Sequence, residues 1–513
     1  MQYKNLVTHG KNKSKLSSGF TIVELLVVIV VIGILAAITI VSYTGISQKA
    51  TAAALKSDLK NASTQLEMDK VTNGTYPATK EAANNGRGLQ TSPGTILDYV
   101  YVGGSDSYSL AATKSSTSYF ITSTDKTPTI GSIVAAIGWE QITSGGSHTC
   151  AVTNNKIYCW GSNEYGQLGN NSVTNSRIPV SVDMTGVLNG KTVTAISAGT
   201  NNTCAIANNL AYCWGYNGIV QPVINTTAFN VVPTAIDTSG VLNGKTVTAI
   251  SAGDYATCAI ANGQAYCWGF NADGELGNNT TTGSAVPVAV NIAGVLSGKT
   301  VTAISAGDYH TCAIANGQAY CWGYNGDGEF GNTNYTDSLV PVAVNIAGVL
   351  SGKTVTAISA GNSHTCAIAN NQAYCWGANW DGQLGNNSAI DDSPTPVAVD
   401  ITGVLSGKTI TVISTGNSNT CAIANSQAYC WGSSWDGQLG NNNATGSSSI
   451  PITVNTAGVL SGKTITVIST GEAHVCVLAN AQANCWGHNW EAQLGNNAIT
   501  SSGIPVSVDI NSL

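Results

Sequence analysis

The most regular chemistry in this 513-residue chain belongs to its fourteen cysteines. They fall into seven pairs: Cys150 with Cys159, Cys204 with Cys213, Cys258 with Cys267, Cys312 with Cys321, Cys366 with Cys375, Cys421 with Cys430 and Cys476 with Cys485. The members of each pair are nine positions apart, and each pair is closed by Trp-Gly. In Cys258-Ala-Ile-Ala-Asn-Gly-Gln-Ala-Tyr-Cys267 the midpoint Asn262-Gly263 is the preferred pair for a two-residue hairpin turn. Pairing outward from that turn sets Ala261 against Gln264, Ile260 against Ala265, Ala259 against Tyr266, and Cys258 opposite Cys267. The cysteines then face each other at a non-hydrogen-bonded position, where Cα atoms approach to about 4.5 Å and a disulfide can span them. Midpoints such as Asn154-Asn155, Asn316-Gly317 and Asn480-Ala481 keep the same register. Seven cross-strand disulfides are expected, which assigns this part of the chain to an oxidising exterior. Zinc is not expected, because separate units offer two cysteines each without a regular second pair of ligands.

Other candidates for chemistry dissolve into the same repeat. Six units contain Gly-Val-Leu-(Ser/Asn)-Gly-Lys-Thr, as at Gly294–Thr300. A phosphate-binding loop needs four residues between its glycines and a helix after it, whereas this segment has three and lies between strands. Asn325-Gly-Asp327-Gly-Glu329 lacks the remaining ligands and spacing of a calcium loop. His148, His310, His364 and His474 share one repeat position, which scatters them over separate units; structural hydrogen bonding explains them better than a metal. No nucleophile, base and orienting group fall together, so no enzymatic activity, cofactor or metal is expected.

Variation at fixed loop positions points elsewhere. Four residues after the tryptophan of each Cys-Trp-Gly stand Glu164, Gly218, Ala272 and Gly326, then Trp380, Trp435 and Trp490. Tyr216, Phe270 and Tyr324 occupy a nearby site in units two to four. Large aromatics on loops anchor protein ligands and stack on sugar rings. These six residues are the candidate ligand-binding set.

The elements that must carry these loops are visible in the spacing. First cysteines recur at steps of 54, 54, 54, 54, 55 and 55 residues, and a fixed period of that size marks a repeat array. Between pairs the units read Trp-Gly-x-Asn-x-x-Gly-Gln-Leu-Gly-Asn, a polar loop, Pro-Val-x-Val and Val-Thr-Ala-Ile-Ser-Ala-Gly. Four short strands per unit, seven times over, suit a radial propeller. The second unit departs, running Tyr-Asn-Gly-Ile-Val after Trp214-Gly215. Since Ile504-Pro505-Val506-Ser507-Val508 ends the chain where other units lead onward, the C-terminal strand is expected to complete the blade that the N-terminal one begins.

Charge is divided unevenly. Residues 1–138 hold 12 Lys+Arg against 8 Asp+Glu, and the remainder holds 8 against 19. The large acidic region lacks the basic footprint of a nucleic-acid binder. Ahead of it, Phe20 to Val41 form 22 residues with one charge, long enough as a helix to cross a bilayer. Lys4, Lys11, Lys13 and Lys15 precede this run and only Lys49 follows closely, so the start is expected to stay cytoplasmic and the rest to be translocated. Beyond the membrane Leu55, Leu59, Ala62 and Leu66 continue one apolar stripe, and Asn73-Gly74 is expected to stop the helix. Alternating stretches at Leu97–Val102, Ser107–Ala112 and Ser118–Thr122 read as a small antiparallel sheet, followed by a Thr/Ser/Pro linker.

Two resemblances attach to these residues. Gly19-Phe20-Thr21-Ile22-Val23-Glu24 with its aliphatic run resembles the processing site of type IV prepilins and pseudopilins. The resemblance implies cleavage by a prepilin peptidase between Gly19 and Phe20, N-methylation of Phe20, and an assembly role for Glu24 toward the α-amine of a neighbouring pilin subunit. A carboxylate inside an apolar run costs about 2.5–3.5 kcal/mol to insert, so a task or partner for Glu24 is physically reasonable. The motifs Cys159-Trp160-Gly161-Ser162-Asn163-Glu164-Tyr165-Gly166-Gln167-Leu168-Gly169-Asn170 and Gly361-Asn362-Ser363-His364-Thr365-Cys366 strongly resemble the regulator-of-chromosome-condensation repeat family, over about residues 138–513. That family uses one propeller face to bind proteins.

The expected fold is a long N-terminal α-helix with a small α+β pilin-like head, followed by an all-β seven-bladed propeller. The expected divisions are a leader at 1–19, a transmembrane and assembly helix at 20–74, a head and linker at 75–137 and the propeller at 138–513. The expected function is a minor or tip subunit of a type IV pilus, a single-pass membrane precursor before assembly and then surface-exposed, whose propeller adheres to an extracellular protein or glycan without catalysis. The alternative is a pseudopilin of a secretion or DNA-uptake apparatus.

Overall fold

The computed structural model describes residues 22–102, 106–114, 117–130, 138–216, 229–389, 391–443 and 446–510, with side chains from residue 47 onward. Helix α1 runs unbroken over Ile22–Asn73. It stops where the sequence indicated, since Gly74 adopts φ +83° and donates its N–H to the Lys70 carbonyl at 2.8 Å, the left-handed cap that glycine favours. Among the residues with described side chains no helix is long and apolar enough to cross a membrane; the apolar run at 20–41 precedes them.

The stripe Leu55, Leu59, Ala62 and Leu66 is buried together with Leu97, Tyr108, Leu110 and Ile121. These last residues come from an antiparallel sheet of β1 (Ile96–Val102), β2 (Ser107–Lys114), β3 (Thr117–Thr122) and β4 (Thr129–Ile130). An i, i+4, i+7 stripe presents one face to a flat apolar surface, which is why helix and sheet pair here. Strand β4 extends the sheet past the Thr/Ser/Pro run read as linker, by two exposed residues paired to Tyr119 and Phe120.

The described residues form eight four-stranded sheets, this one and one for each of the seven cysteine repeats. In the first repeat the strands are β5 (Gln141–Ser144), β6 (His148–Thr153), β7 (Lys156–Gly161) and β8 (Ser176–Ser181). Five further repeats over Val193–Thr453 supply β9 to β28, and the last supplies β29 (Ile465–Thr470), β30 (His474–Ala479), β31 (Gln482–Gly487) and β32 (Ser502–Ser507). The hairpin register is the one the turn demanded: Cys258 opposes Cys267 and Ala261 opposes Gln264. Asn262 and Gly263 take φ of 50° and 75°, the left-handed pair that a type I′ turn requires.

All seven cysteine pairs are disulfide-bonded with Cα–Cα distances of 4.1 Å. Cys150 is bonded to Cys159, Cys204 to Cys213, Cys258 to Cys267, Cys312 to Cys321, Cys366 to Cys375, Cys421 to Cys430 and Cys476 to Cys485. The pairing is the expected one, but the bridges also have a packing role that the hairpin register did not reveal. Every cysteine except the half-buried Cys213 is fully buried, because both faces of a sheet in a closed array are covered by its neighbours. Cys321 shares an apolar cluster with Trp376 of the next repeat, Cys375 with Trp431, Cys430 with Trp486, and Cys485 with Trp160 of the first repeat. These sulfurs are therefore shielded from solvent and from thiols while the joints between repeats stay packed.

Neighbouring sheets are joined by repeated side-chain bonds. The serine of each Ala-Ile-Ser-Ala strand accepts a backbone N–H from the next unit, as Ser251 does from Ala306 at 3.0 Å and Ser305 from Ala360 at 2.9 Å. The tryptophan of each Cys-Trp-Gly is buried in the interface with the preceding unit: Trp322 Nε1 donates to the Glu275 carbonyl at 2.8 Å, and Trp431 Nε1 to the Gln383 carbonyl at 2.9 Å. Gly440, at φ +68°, sits so close under the next indole that a Cβ would lie 2.7 Å from Trp486 Nε1.

The same joint closes the ring, and this corrects the expectation of a shared blade. Strand β32 pairs with β31 inside its own repeat, and β5 pairs with β6. The seam is made by side chains: Ser144 N–H to Ser469 Oγ at 2.8 Å, Trp160 Nε1 to the Gln493 carbonyl at 2.9 Å, and Thr149 Oγ1 to that carbonyl at 2.8 Å. The physical reason lies in residues 139–145. Trp-Glu-Gln-Ile-Thr-Ser-Gly is a divergent copy of Val-Thr-Ala-Ile-Ser-Ala-Gly, so the first repeat already owns its first strand and the last owns its fourth.

Candidate recognition face

In every unit but the second, whose residues 217–228 lie outside the described ones, the loop between the third and fourth strands is pinned from within. Asn379 Oδ1 accepts the Leu384 N–H at 3.1 Å while its Nδ2 donates to the Ser388 carbonyl at 3.0 Å. Gln383 Oε1 accepts the Asp381 N–H at 2.9 Å. Both side chains are buried, so the loop folds inward around them and its tip residue has nowhere to pack. In units five to seven that tip residue is tryptophan. Trp380, Trp435 and Trp490 are 65%, 69% and 71% exposed, and burial of such rings is what an anchoring contact gains. Trp490 is edge-on to His488, with ring centroids 5.0 Å apart.

The other three candidate aromatics behave differently. Tyr216 packs edge-on against Tyr165 at 5.5 Å. Phe270 and Tyr324 are the ends of a row that runs through Tyr255 and Tyr309, with centroid separations of 5.6, 5.3 and 6.2 Å. They are half-buried and spend their faces on neighbouring loops. Tyr255 and Tyr309, which join the row, escaped the sequence reading; the signal was that both follow an aspartate at one repeat position, Asp254 and Asp308.

Those aspartates and Glu472 face a small axial cavity of about 90 Å³ lined by the first-strand ends of all seven repeats. Burial raises all three carboxyls above the usual range, Asp308 to about 7, although Asn362 Nδ2 donates to Asp308 at 2.5 Å. Glu275 and Glu329 replace the loop glutamine in units three and four. Burial pushes them up to about 7 and about 8, and their Oε1 atoms lack a hydrogen-bond partner.

The residues set aside in the sequence hold structural places. Histidines 148, 310 and 364 each bond through Nε2 to a threonine of the next unit at 2.8 Å, and His474 to Thr149 at 2.9 Å. Burial lowers each imidazole to about 3. Lysines of the Gly-Lys-Thr turns lie over the next unit's tyrosine, Lys299 Nζ being 5.1 Å from the Tyr320 ring centre. In the Asn325–Glu329 loop Asn325 Oδ1 accepts the Phe330 N–H at 2.9 Å, the same pinning as in the other loops. Gly19 and Phe20 lie outside the described residues, and of Glu24 only the helical backbone is described.

Repeated four-stranded sheets joined into a ring, with an indole N–H bonded to a neighbouring unit's carbonyl at six of the joints among the described residues, define a propeller-like repeat protein. The chain belongs to the regulator of chromosome condensation (RCC1) repeat family, matched at residues 154–206, 262–314, 316–368, 370–423 and 425–478 and by a second RCC1 repeat profile at 139–167, 301–329 and 355–383, and it carries a prokaryotic N-terminal methylation motif at 14–40. The unmatched interval before residue 262 contains the second unit, whose Gly-Gln-Leu-Gly is missing. The ultraviolet-B receptor UVR8 of Arabidopsis thaliana is 28% identical over 362 residues, 69% of this chain and 78% of the receptor. The E3 ubiquitin-protein ligase HERC2 of Homo sapiens is 27% identical over 361 residues, 69% of this chain and 7% of the ligase. Among solved structures human WBSCR16 aligns with a TM-score of 0.61 at 16% identity over 69% of this chain and 94% of its own. Prp20p of Saccharomyces cerevisiae aligns at 0.59 and 18%, over 69% and 86%. Both bear on the fold alone.

Proposed function

We propose that this protein is a minor or tip subunit of a type IV pilus whose ring of seven repeats is a propeller displayed on the cell surface for non-catalytic adhesion. In this reading residues 1–19 are a leader, 20–74 the membrane and assembly helix, 75–137 the pilin-like head and linker, and 138–513 the propeller. Prepilin peptidase cuts after Gly19 and Phe20 is methylated. Glu24 meets the new α-amine of a neighbouring subunit as helices leave the membrane and pack into a fibre. The methylation motif implies a membrane-anchored precursor that is exported, and seven disulfides suit an oxidising exterior.

The observation that carries the adhesive role is the row of three exposed tryptophans on successive repeats. They sit on the side of the ring opposite to where the chain joins it, because Trp139 enters beside the hairpin turn of the last repeat, donating its N–H to the Ala481 carbonyl at 2.7 Å. The joint W380A/W435A/W490A variant should leave pilus number and propeller folding unchanged while reducing cell attachment at least tenfold. Unaltered attachment rejects the binding surface. A deletion strain that still attaches but loses secretion or DNA uptake assigns the chain to a pseudopilus.

A further inference from the structure

The loops around the tryptophans are chemically one-sided. In antiparallel four-stranded units, the loops joining strand one to two and strand three to four emerge on the same edge. Across all seven repeats those fourteen loops contain fourteen Asp and Glu residues and no lysine or arginine. The six connections from one repeat to the next emerge on the opposite edge, and they contain six lysines against three aspartates. The ring is therefore polarised along its axis, with fourteen of the 19 Asp and Glu that follow residue 138 on the tryptophan side and no lysine or arginine beside them, although burial holds Glu275, Asp308 and Glu329 toward the neutral form.

At the tips the two features coincide. Each exposed tryptophan is followed directly by a carboxylate: Trp380-Asp381, Trp435-Asp436 and Trp490-Glu491. The acids are half-buried beside exposed rings. Glu491 is held in place through Oε2, which accepts from Asn175 Nδ2 of the first repeat at 2.6 Å. Units three and four, without a tip tryptophan, also place an acid after that position, Asp273 and Asp327. An indole face attracts a cation, a neighbouring carboxylate completes a charge-assisted hydrogen bond to it, and a field of one sign draws the opposite charge from a distance. A neutral sugar would stack on the rings but gain nothing from that field.

We propose that the tryptophan face docks a lysine- and arginine-rich polypeptide segment, its cationic side chains seated on Trp380, Trp435 and Trp490 and paired with Asp381, Asp436 and Glu491. This deepens the adhesive reading above and rests on it. The ligand class is then a basic protein surface, and the contact weakens with salt.

Detergent-solubilised full-length protein, titrated with a fluorescent alternating Lys-Arg peptide at low and at physiological ionic strength, tests it. Expected are saturable binding, at least tenfold weaker at the higher salt, and at least tenfold loss in W380A/W435A/W490A. The isosteric variant D381N/D436N/E491Q should weaken binding and flatten its salt dependence, with an unchanged unfolding midpoint showing that the ring is intact. Peptide binding indifferent to both variants overturns the proposal. Tryptophan-dependent, salt-independent binding of a neutral oligosaccharide, without peptide binding, overturns the cationic ligand but keeps adhesion. Absence of both, together with unaltered attachment by the tryptophan variant, removes the adhesive reading itself.

Discussion

At the scale of single residues, two sets of buried titratable groups pull stability in opposite directions with pH. The four interface histidines are held neutral, each lowered to about 3 by burial, while an unfolded imidazole takes up its proton near 6.5. Their contribution is complete above that value and lost as pH falls from it toward 3. Glu275 and Glu329 are raised by burial to about 7 and about 8, so the fold favours their protonated form. Their contribution is complete below the ordinary carboxyl range and lost as pH rises through it toward 8. The unfolding midpoint should peak near pH 6, with a decline on each side, in a thermal scan at stepped pH. E275Q/E329Q, which restores the amide other repeats carry, should raise the midpoint by a few degrees at pH 8.5 and leave it nearly unchanged at pH 5; an unchanged value at pH 8.5 counts against buried acids at these sites.

At the scale of elements, the hairpins were the most legible part of the chain. Asn-Gly midpoints, nine-residue spacing and strand periodicity act locally, so turn chemistry alone settles the cysteine register. The packed interface was less legible, because the carbonyl that receives an indole belongs to a neighbouring repeat, 47 or 48 residues earlier for Trp322 to Glu275 and Trp431 to Gln383 and at the far end of the ring for Trp160 to Gln493. Tyr216, Phe270 and Tyr324 look equivalent to the tip tryptophans in the sequence because their partners stand on other loops: Tyr165 of the preceding repeat for Tyr216, and Tyr255 and Tyr309 on the first loop of the same repeat for Phe270 and Tyr324. Two substitutions separate the contributions. Trp322→Phe keeps most of the ring and removes its hydrogen bond, leaving the Thr311 bond to the same carbonyl, and should cost about 1–3 kcal/mol in denaturant unfolding. Gly440→Ala should cost more, since the residue is both left-handed and pressed against Trp486, where neither backbone nor indole has room to yield.

At the scale of the whole molecule, the ring has a seam like its other joints, and its closure was misread because residues 139–145 retain the strand pattern while changing most of its letters. Trp139 marks that seam, packed edge-on against Tyr158 with centroids 5.7 Å apart and buried with Leu478 and Val508. Trp139→Ala should destabilise the propeller by about 3–5 kcal/mol, read as an earlier midpoint in chemical denaturation with all seven disulfides retained. The proposed leader lies at the other end of the same scale. Intact-mass measurement of protein recovered from cells should give a chain beginning at a methylated Phe20, and recovery with residues 1–19 attached would count against assembly into a fibre.

The disulfides acquire a mechanical meaning if the ring is loaded through the chain at residue 139. Pulling there would peel β5 first and then reach the bridge between Cys150 and Cys159, where the cross-link stops the hairpin from opening. Each of the seven locks withholds the segment between its cysteines from extension, roughly 30 Å of contour per repeat. A tether reduced by thiol should therefore lengthen further under force than an oxidised one.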